Sequence, residues 1–177
     1  MNNIIIKTNR LYLRDLTKED NAPLIELFAD PIAMKYFPST KNKEQVDEWI
    51  RKNVESYNSN GYGLYLCVLK DTLTPIGYCG LILQKDVDGT DEVEIGYGLI
   101  RKYWHKGYAS EAAIECKNYG FDKLNIEKLI SLIRPENKPS INVAVKNGMH
   151  WQKDIMRWEY LHGIYSIEQN KYRKKIY

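Results

Sequence analysis

Cysteine, histidine and charge imbalance are all scarce in this chain. Its three cysteines, Cys67, Cys79 and Cys116, are odd in number and widely spaced, which gives no disulfide framework. Cys67 and Cys79 fall inside strand-like runs and Cys116 on the apolar side of a helix, so all three read as small core residues. No cysteine sits in a nucleophile motif with a histidine partner, so nothing argues for an acyl-enzyme. His150 and His162 have no Cys or acidic neighbours at ligand spacing, and no metal is expected. Lys and Arg number 26 against 23 acidic residues, a net +3. That balance, without a basic run interleaved with aromatics, argues against a nucleic-acid partner and steers neither polyanions nor polycations. The basic stretch Lys171 to Lys175 reads as a solvated tail or a lysine-guarded edge strand. Ile4 to Ile6 is far too short an apolar run for a membrane span or signal peptide, so a cytoplasmic, reduced protein without a membrane partner is expected. There is no internal repeat or low-complexity linker, and 177 residues suit one domain, 1–177, with a proper core.

What the chain does have is an alternation of strand and helix signals. A first strand falls within Ile4 to Leu16, with Leu11 and Leu13 alternating against Tyr12 and Arg14. Thr17 can cap a helix from Lys18, with Asp20 at its third position and Leu24, Leu27 and Phe28 as its buried stripe. A second helix covers about Lys43 to Asn58, with Val46, Trp49, Ile50, Val54 and Tyr57 on one face. Leu64 to Leu69 and Pro75 to Leu83 form a strand pair. A turn at Asp86 to Thr90 precedes a strand from Glu92 to Leu99. Lys128 to Ile133 is a further strand, Pro139 to Asn147 a short helix ended by Gly148, and Trp151 to Ile176 a terminal hairpin turning around His162-Gly163. This is an α/β (α+β) pattern with a mixed, largely antiparallel sheet.

The most informative stretch is E-I-G-Y-G-L-I-R-K-Y-W-H-K-G-Y-A-S-E-A-A, Glu94 to Ala113. A strand breaks into a glycine turn and opens directly into a helix near Gly107. Ala109, Ala112, Ala113, Cys116 and Gly120 share one side of that helix, while Glu111, Glu115, Lys117 and Asn118 fall mostly on the other. A helix N-terminus exposes unpaired N–H groups and partial positive charge. Gly107 allows close backbone approach, and small Ala109 and Ser110 leave room beside it. His105 and Lys106 add donors or charge. Such an arrangement builds a pyrophosphate cradle from main chain.

At these residues the sequence resembles the GNAT acetyltransferases. Their pyrophosphate loop (Gln or Arg, two residues, Gly, one residue, Gly or Ala) is matched by Trp104, His105, Lys106, Gly107, Tyr108 and Ala109, with Trp in the first position. The form W-x-K-G-Y-A-S-E-A resembles the branch of ribosomal-protein N-terminal acetyltransferases, which usually has Gly where this chain has His105. T-N-R-L-Y-L-R-D-L-T-K-E-D (Thr8 to Asp20) resembles the opening of that branch. I-S-L-I-R-P-E-N-K-P-S-I-N-V-A-V-K-N-G-M (Ile130 to Met149) resembles its second cofactor segment. The resemblance implies the GNAT fold, its central sheet flanked by helices and splayed at the acetyl-CoA site. It also implies direct acetyl transfer from acetyl-CoA to an amine. The pyrophosphate would lie on the N–H groups of His105, Lys106, Gly107, Tyr108, Ala109 and Ser110. The pantetheine arm would pair with main chain at Tyr97, Gly98 and Leu99, and Asn137 would hydrogen-bond that arm or a water beside it. The residues alone also allow Asn137 to be a turn or cap asparagine after Pro135. Gly98 marks a bend or a close backbone approach.

Acetyl transfer needs a neutral amine, and lysine-type amines titrate at about 10.4, α-amino groups at about 8. Glu92 and Glu94 share one strand face, and Glu94, nearer the loop, is the candidate base, acting directly or through a water. A surface acid or structural ion pair is the competing account. Some relatives place the base on the following strand, close to Leu132 here, which cannot serve. Many GNAT enzymes protonate the leaving thiolate with a tyrosine where this chain has Ala144. Ser140 could donate a hydrogen bond to the sulfur or simply belong to a helix N-terminus. Candidate acceptor-pocket aromatics are Tyr36, Phe37, Trp49, Trp151 and Trp158, each also a natural packing residue. The acceptor is expected to be a protein N-terminal amine, as on a ribosomal protein, or a small-molecule amine. A catalytically silent CoA-binding sensor is the alternative. Domains of this kind often pair through exposed strands or helices, which leaves a homodimer open.

Overall fold

The computed structural model describes residues 3–170, and the Lys171 to Lys175 stretch lies outside them. One eight-stranded sheet runs in the order β1-β2-β3-β4-β5-β6-β8-β7. The strands are β1 (Ile4–Lys7), β2 (Leu11–Arg14), β3 (Leu64–Leu69), β4 (Pro75–Val87), β5 (Thr90–Leu99), β6 (Lys128–Ile133), β7 (His150–Arg157) and β8 (Tyr160–Glu168). Every neighbouring pair is antiparallel except β5 with β6. The helices are α1 (Asn21–Ala29), α2 (Lys43–Asn60), α3 (Tyr108–Asp122) and α4 (Lys138–Lys146). The expected GNAT-type mixed sheet flanked by helices is therefore present.

The two sheet faces carry separate cores. On one, α1 and α2 bring Leu24, Leu27, Phe28, Val46 and Ile50 against Leu64, Leu66, Val68 and Tyr78. On the other, α3 and α4 set Ala112, Ala113, Cys116, Phe121 and Ala144 against Tyr65, Cys79, Leu81, Ile95 and Leu129. The small residues of α3 let it lie close to the sheet. A Cβ on Gly120 would come within 3.2 Å of Leu129 and 3.4 Å of Leu81. All three cysteines are free and buried, as expected.

Local sequence explains most element ends. Asn42 Oδ1 accepts from Gln45 N and Gln45 Oε1 from Asn42 N, both at 2.9 Å, a reciprocal cap that starts α2. Gly61 ends it in the left-handed region (φ 77°). A short 3-10 turn (Lys18–Asp20) precedes α1, where the Asp20 carboxylate accepts from Thr17 N at 2.8 Å and pairs with Arg14 at 2.6 Å.

Four readings of the sequence are corrected. The opening strand is a hairpin, because Thr8 N turns back onto Leu11 O at 3.0 Å without Gly or Pro to announce it. Lys117 is buried rather than outward, its Nζ donating to Asn147 O at 3.3 Å where α3 meets the end of α4. Val54 is exposed and leaves the stripe of α2 to its neighbours. The terminal hairpin turns at Trp158 and Glu159 (φ 49° and 65°), not at His162-Gly163, which lies within β8 opposite Ile155 and Asp154. The Arg157 guanidinium stacks 4.6 Å from the Trp158 ring and His162 meets that ring edge-on at 5.4 Å, which holds a turn that Gly or Asn ordinarily makes.

Candidate active site

The chain leaves β5 through Ile100, whose N–H donates to Ile76 O at 2.9 Å, and a 3-10 turn (Arg101–Tyr103). Trp104 then tucks its indole back, donating to Leu99 O at 2.7 Å. The tryptophan that replaces Gln or Arg is thus a brace between β5 and the loop. His105 (φ 59°) and Gly107 (φ 81°) both take the left-handed conformation, and α3 begins at Tyr108. The conformation at His105 is one that Gly adopts without cost. Left-handed residues at such a turn bring successive N–H groups together into an anion-binding concavity. The first N–H to close the helix is that of Glu111, onto Gly107 O at 3.0 Å. Among the described residues, no N–H from His105 to Ser110 has a protein acceptor, so all six donors remain for a ligand.

A latch that periodicity placed on an outer face holds this loop. The Glu111 carboxylate accepts from Thr8 Oγ1 at 2.5 Å, Arg10 N at 2.7 Å and Arg10 Nε at 2.6 Å. Arg10 Nη1 donates to Lys106 O at 3.0 Å, and its guanidinium lies 4.4 Å over the Tyr108 ring. A Cβ on Gly107 would meet Arg10 Nη2 at 3.5 Å. Burial would raise the Glu111 carboxyl, but the bonds from Thr8 and Arg10 hold it below the usual carboxylate range. The signal was the coexistence of T-N-R and S-E-A, but only the fold joins positions 103 residues apart.

Beside the loop the sheet opens. β5 and β6 share a single parallel register pair, Glu94 with Ile130, and side chains then replace the ladder. Leu132 N donates to Glu94 Oε1 at 3.0 Å and Ser131 Oγ to Ile95 O at 3.0 Å. The Ile100 bond to β4 fixes the alternation along β5. It turns the N–H and C=O of Tyr97 and Leu99 toward the gap and those of Gly98 toward β4. Leu99 O is already taken by Trp104. Gly98 stays in register opposite Tyr78 and is small because a Cβ would strike the Tyr78 ring at 2.8 Å.

The acid and hydroxyl candidates approach this gap from opposite faces. Glu94 projects on the α1/α2 side, held by Gln84 Nε2 at 2.5 Å as well as Leu132 N. Burial raises its pKa above the ordinary 4.5, partly offset by Leu132, Gln84 and the nearby Arg157. Glu92, on the same face, is engaged in an ion pair with Lys128. On the α3/α4 side, burial pushes the Tyr97 phenol up, and its hydroxyl donates to Ser140 O at 3.0 Å. Asn137 is the N-cap of α4, its Oδ1 accepting from Ser140 N at 3.3 Å. The Ser140 hydroxyl lies beside the Tyr97 phenol and partly offsets the upward shift of its pKa. Ala144, at the position of the family tyrosine, is 2% exposed in the core under α4.

The acceptor-pocket aromatics divide. Trp49 packs 4.9 Å from both Phe28 and Tyr78, inside the α1/α2 core. Phe37, Trp151 and Trp158 are exposed. Tyr36 reaches from the α1–α2 linker to Glu136 O at 3.1 Å, bridging to the segment after β6. An open cavity of ≈ 600 Å³ lies on the α1 side of the 3-10 turn, edged by the ion pairs Arg101–Asp30 at 2.9 Å and Lys102–Glu26 at 3.0 Å, and contains no candidate residue.

Residues 10–150 match the family model described as an acetyltransferase (GNAT) domain. The chain is 41% identical over 154 residues to the uncharacterized protein YkkB of Bacillus subtilis, covering 85% of this chain and 88% of that one. It is 32% identical over 155 residues to the uncharacterized N-acetyltransferase p20 of Bacillus licheniformis, covering 86% and 85%. Among solved structures, a GNAT-family acetyltransferase from Bacillus anthracis superposes with a TM-score of 0.80 at 26% identity, covering 93% of this chain and 98% of that one. Two coenzyme A complexes share the fold. One is RimL, a ribosomal L7/L12 α-N-protein acetyltransferase, with a TM-score of 0.78 at 17% identity over 93% and 97% of the two chains. The other is the aminoglycoside acetyltransferase AAC(6')-Ib, with a TM-score of 0.79 at 16% identity over 94% and 99%.

Proposed function

The chain belongs to the GNAT acetyltransferase family and is an N-acetyltransferase, and from that premise we propose that it moves an acetyl group directly from acetyl-CoA to a primary amine through the gap between β5 and β6. The observation that carries this reading is the row of six unbonded N–H groups at a left-handed turn into α3, set immediately beside the parted strands. Acetyl-CoA, when bound, supplies a thioester carbonyl carbon open to attack by an amine.

The residues divide the work as follows. The N–H groups of His105 to Ser110 and the N-terminus of α3 hold the pyrophosphate. The Tyr97 N–H and C=O and the Leu99 N–H pair with the pantetheine arm as an added strand would, with the Asn137 side chain beside it. Glu94 takes the proton from the ammonium form of the acceptor, directly or through a water. Its raised pKa makes it a stronger base than an exposed carboxylate. Ser140 Oγ, beside the Tyr97 phenol, donates a hydrogen bond to the departing thiolate. The cysteines take no part: burial pushes the Cys67 and Cys116 thiols well up, away from the reactive thiolate.

The acceptor is an amine of a protein N-terminus or of a small molecule. The RimL and aminoglycoside acetyltransferase complexes, each on this fold, illustrate the two classes. Calorimetric titration of acetyl-CoA, followed in the same sample by a thiol-release screen over peptides and small amines, tests the proposal. Micromolar binding with turnover supports it. Binding without turnover on any amine favours a silent CoA sensor, and absence of binding removes the cradle assignment.

A further inference from the structure

Beyond the end of β6, on the sheet face that carries Glu94, lies a stacked cation. Arg134 lies one residue beyond β6 and continues the alternation of Ile130 and Leu132, the residues that share a face with Glu94. Its guanidinium lies 4.1 Å from the Tyr160 ring centroid and 5.9 Å from that of Tyr36. It is therefore held where the α1–α2 linker, the end of β6 and the start of β8 meet. Its ion-pair partner is Glu136, at 3.6 Å and 64% exposed. A charge-assisted N–H···O bond is ordinarily about 2.7–2.9 Å long, so this contact does not fill the guanidinium fork. Arg157, opposite Tyr160 on the same face, adds a second positive charge, with its own donors on Asp86 O and Lys85 O. The strand acids are already engaged, Glu92 by Lys128 and Glu94 by Gln84 and Leu132. A polycationic acceptor finds repulsion on this flank, whereas an anionic group finds a planar donor fork pre-set by two rings.

We propose that Arg134 recognises a carboxylate on the acceptor, so that the substrate class is an amine bearing an anionic group close to the reacting nitrogen. The proposal rests on the acetyl-transfer reading of the gap. Arg134 lies two residues along the chain from Leu132, which binds Glu94, a span of about 7 Å in extended backbone. That span suits an amino acid's own carboxylate or an acidic side chain near a peptide N-terminus.

The test is a thiol-release assay on matched pairs: an amino acid against its carboxamide, and a Ser-Glu-Glu peptide against Ser-Gln-Gln, with spermidine as the polycation. The carboxamide's amine is the less basic, so amine ionisation alone favours the neutral member. The expected result is at least tenfold higher kcat/KM on the anionic member, carried by acceptor KM. Arg134→Met erases that preference with acetyl-CoA KM unchanged, and Arg134→Lys keeps part of it. The peptide and amino-acid arms separate the two sources of the carboxylate. The wild-type panel decides even where Arg134→Met fails to fold. Equal or better turnover of the neutral members or spermidine overturns the proposal, as does an equal loss on both members in Arg134→Met. Acetyl-CoA binding without turnover on either arm overturns the anionic-acceptor assignment alone. Failure to bind acetyl-CoA overturns the reading beneath it.

Discussion

Replacing Glu111 by Ala removes one acceptor from three donors at once: the Thr8 hydroxyl, the Arg10 N–H and the Arg10 guanidinium. Thr8 is 7% exposed, so its loss is felt in a dry environment, although Leu11 N still donates to its oxygen at 2.8 Å. The Arg10 side chain is 43% exposed, and solvent screening limits that contact to about 0.5 kcal/mol. The other two bonds, to a charged acceptor, contribute about 1.5 kcal/mol each at the low end. The sum predicts a loss of about 3.5 kcal/mol, which for a chain of this size lowers Tm by about 7–14 °C. Urea denaturation and a thermal melt measure it directly. Arg10 also carries the Lys106 carbonyl, so loosening the latch should weaken coenzyme A binding by calorimetry about tenfold, or ~1.4 kcal/mol. The charge matters separately. Because the Glu111 pKa is lowered in the folded chain, its stabilisation is complete above about pH 4.5 and is lost as pH falls through the folded value. Glu111→Gln should therefore flatten the acid limb of stability against pH. A stability loss below about 1 kcal/mol, or an unaltered acid limb, would refute the latch.

Gly107→Ala should cost about 1 kcal/mol of stability from backbone strain alone, since its new Cβ meets only Arg10 Nη2 at ordinary contact distance. Gly107→Glu should abolish coenzyme A binding in calorimetry by placing a carboxylate against the phosphates; retained affinity removes Gly107 from the cradle. Glu94→Gln should leave acetyl-CoA affinity within about twofold and lower kcat at least tenfold. In the wild type, kcat/KM should fall with acid through a pKa above the ordinary 4.5, the direction in which burial moves Glu94, and an identical limb in Glu94→Gln assigns the base elsewhere. Asp20→Asn should destabilise by about 3 kcal/mol in denaturant, because it strips the nearly buried Arg14 of its charge partner. Burial raises the Asp20 carboxyl, but Arg14 and Thr17 outweigh that and lower it, so the contribution disappears as pH drops below about 3.8.

Local pattern carried far in this chain. The strands Leu64–Leu69 and Lys128–Ile133 have the bounds read from the sequence, and the helix after Gly107 starts where the glycine turn places it. Those features depend on neighbours within a few residues, and period and turn chemistry report them directly. The sequence also singled out the loop from His105 to Ser110, proposed as the cradle, and both strand acids, because each belongs to a contiguous stretch. Contacts made across the chain were invisible to it. Glu111 reads as an outward acid until β1 and β2 deliver Thr8 and Arg10, and Lys117 reads as solvated until the end of α4 covers it. The hairpin turn fell at Trp158-Glu159 because ring stacking with Arg157 and His162 compensates two left-handed residues, whereas Gly163 is small for its neighbours Tyr165, Asp154 and Trp151. The sequence by itself determined the element order and the chemistry of the loop. Only the tertiary structure decided that Glu94 closes onto Leu132 where two strands part, and that Ser140 meets Tyr97 on the other side of the sheet. Periodicity assigns a residue to a face, but which two faces meet is settled by packing between segments a hundred residues apart.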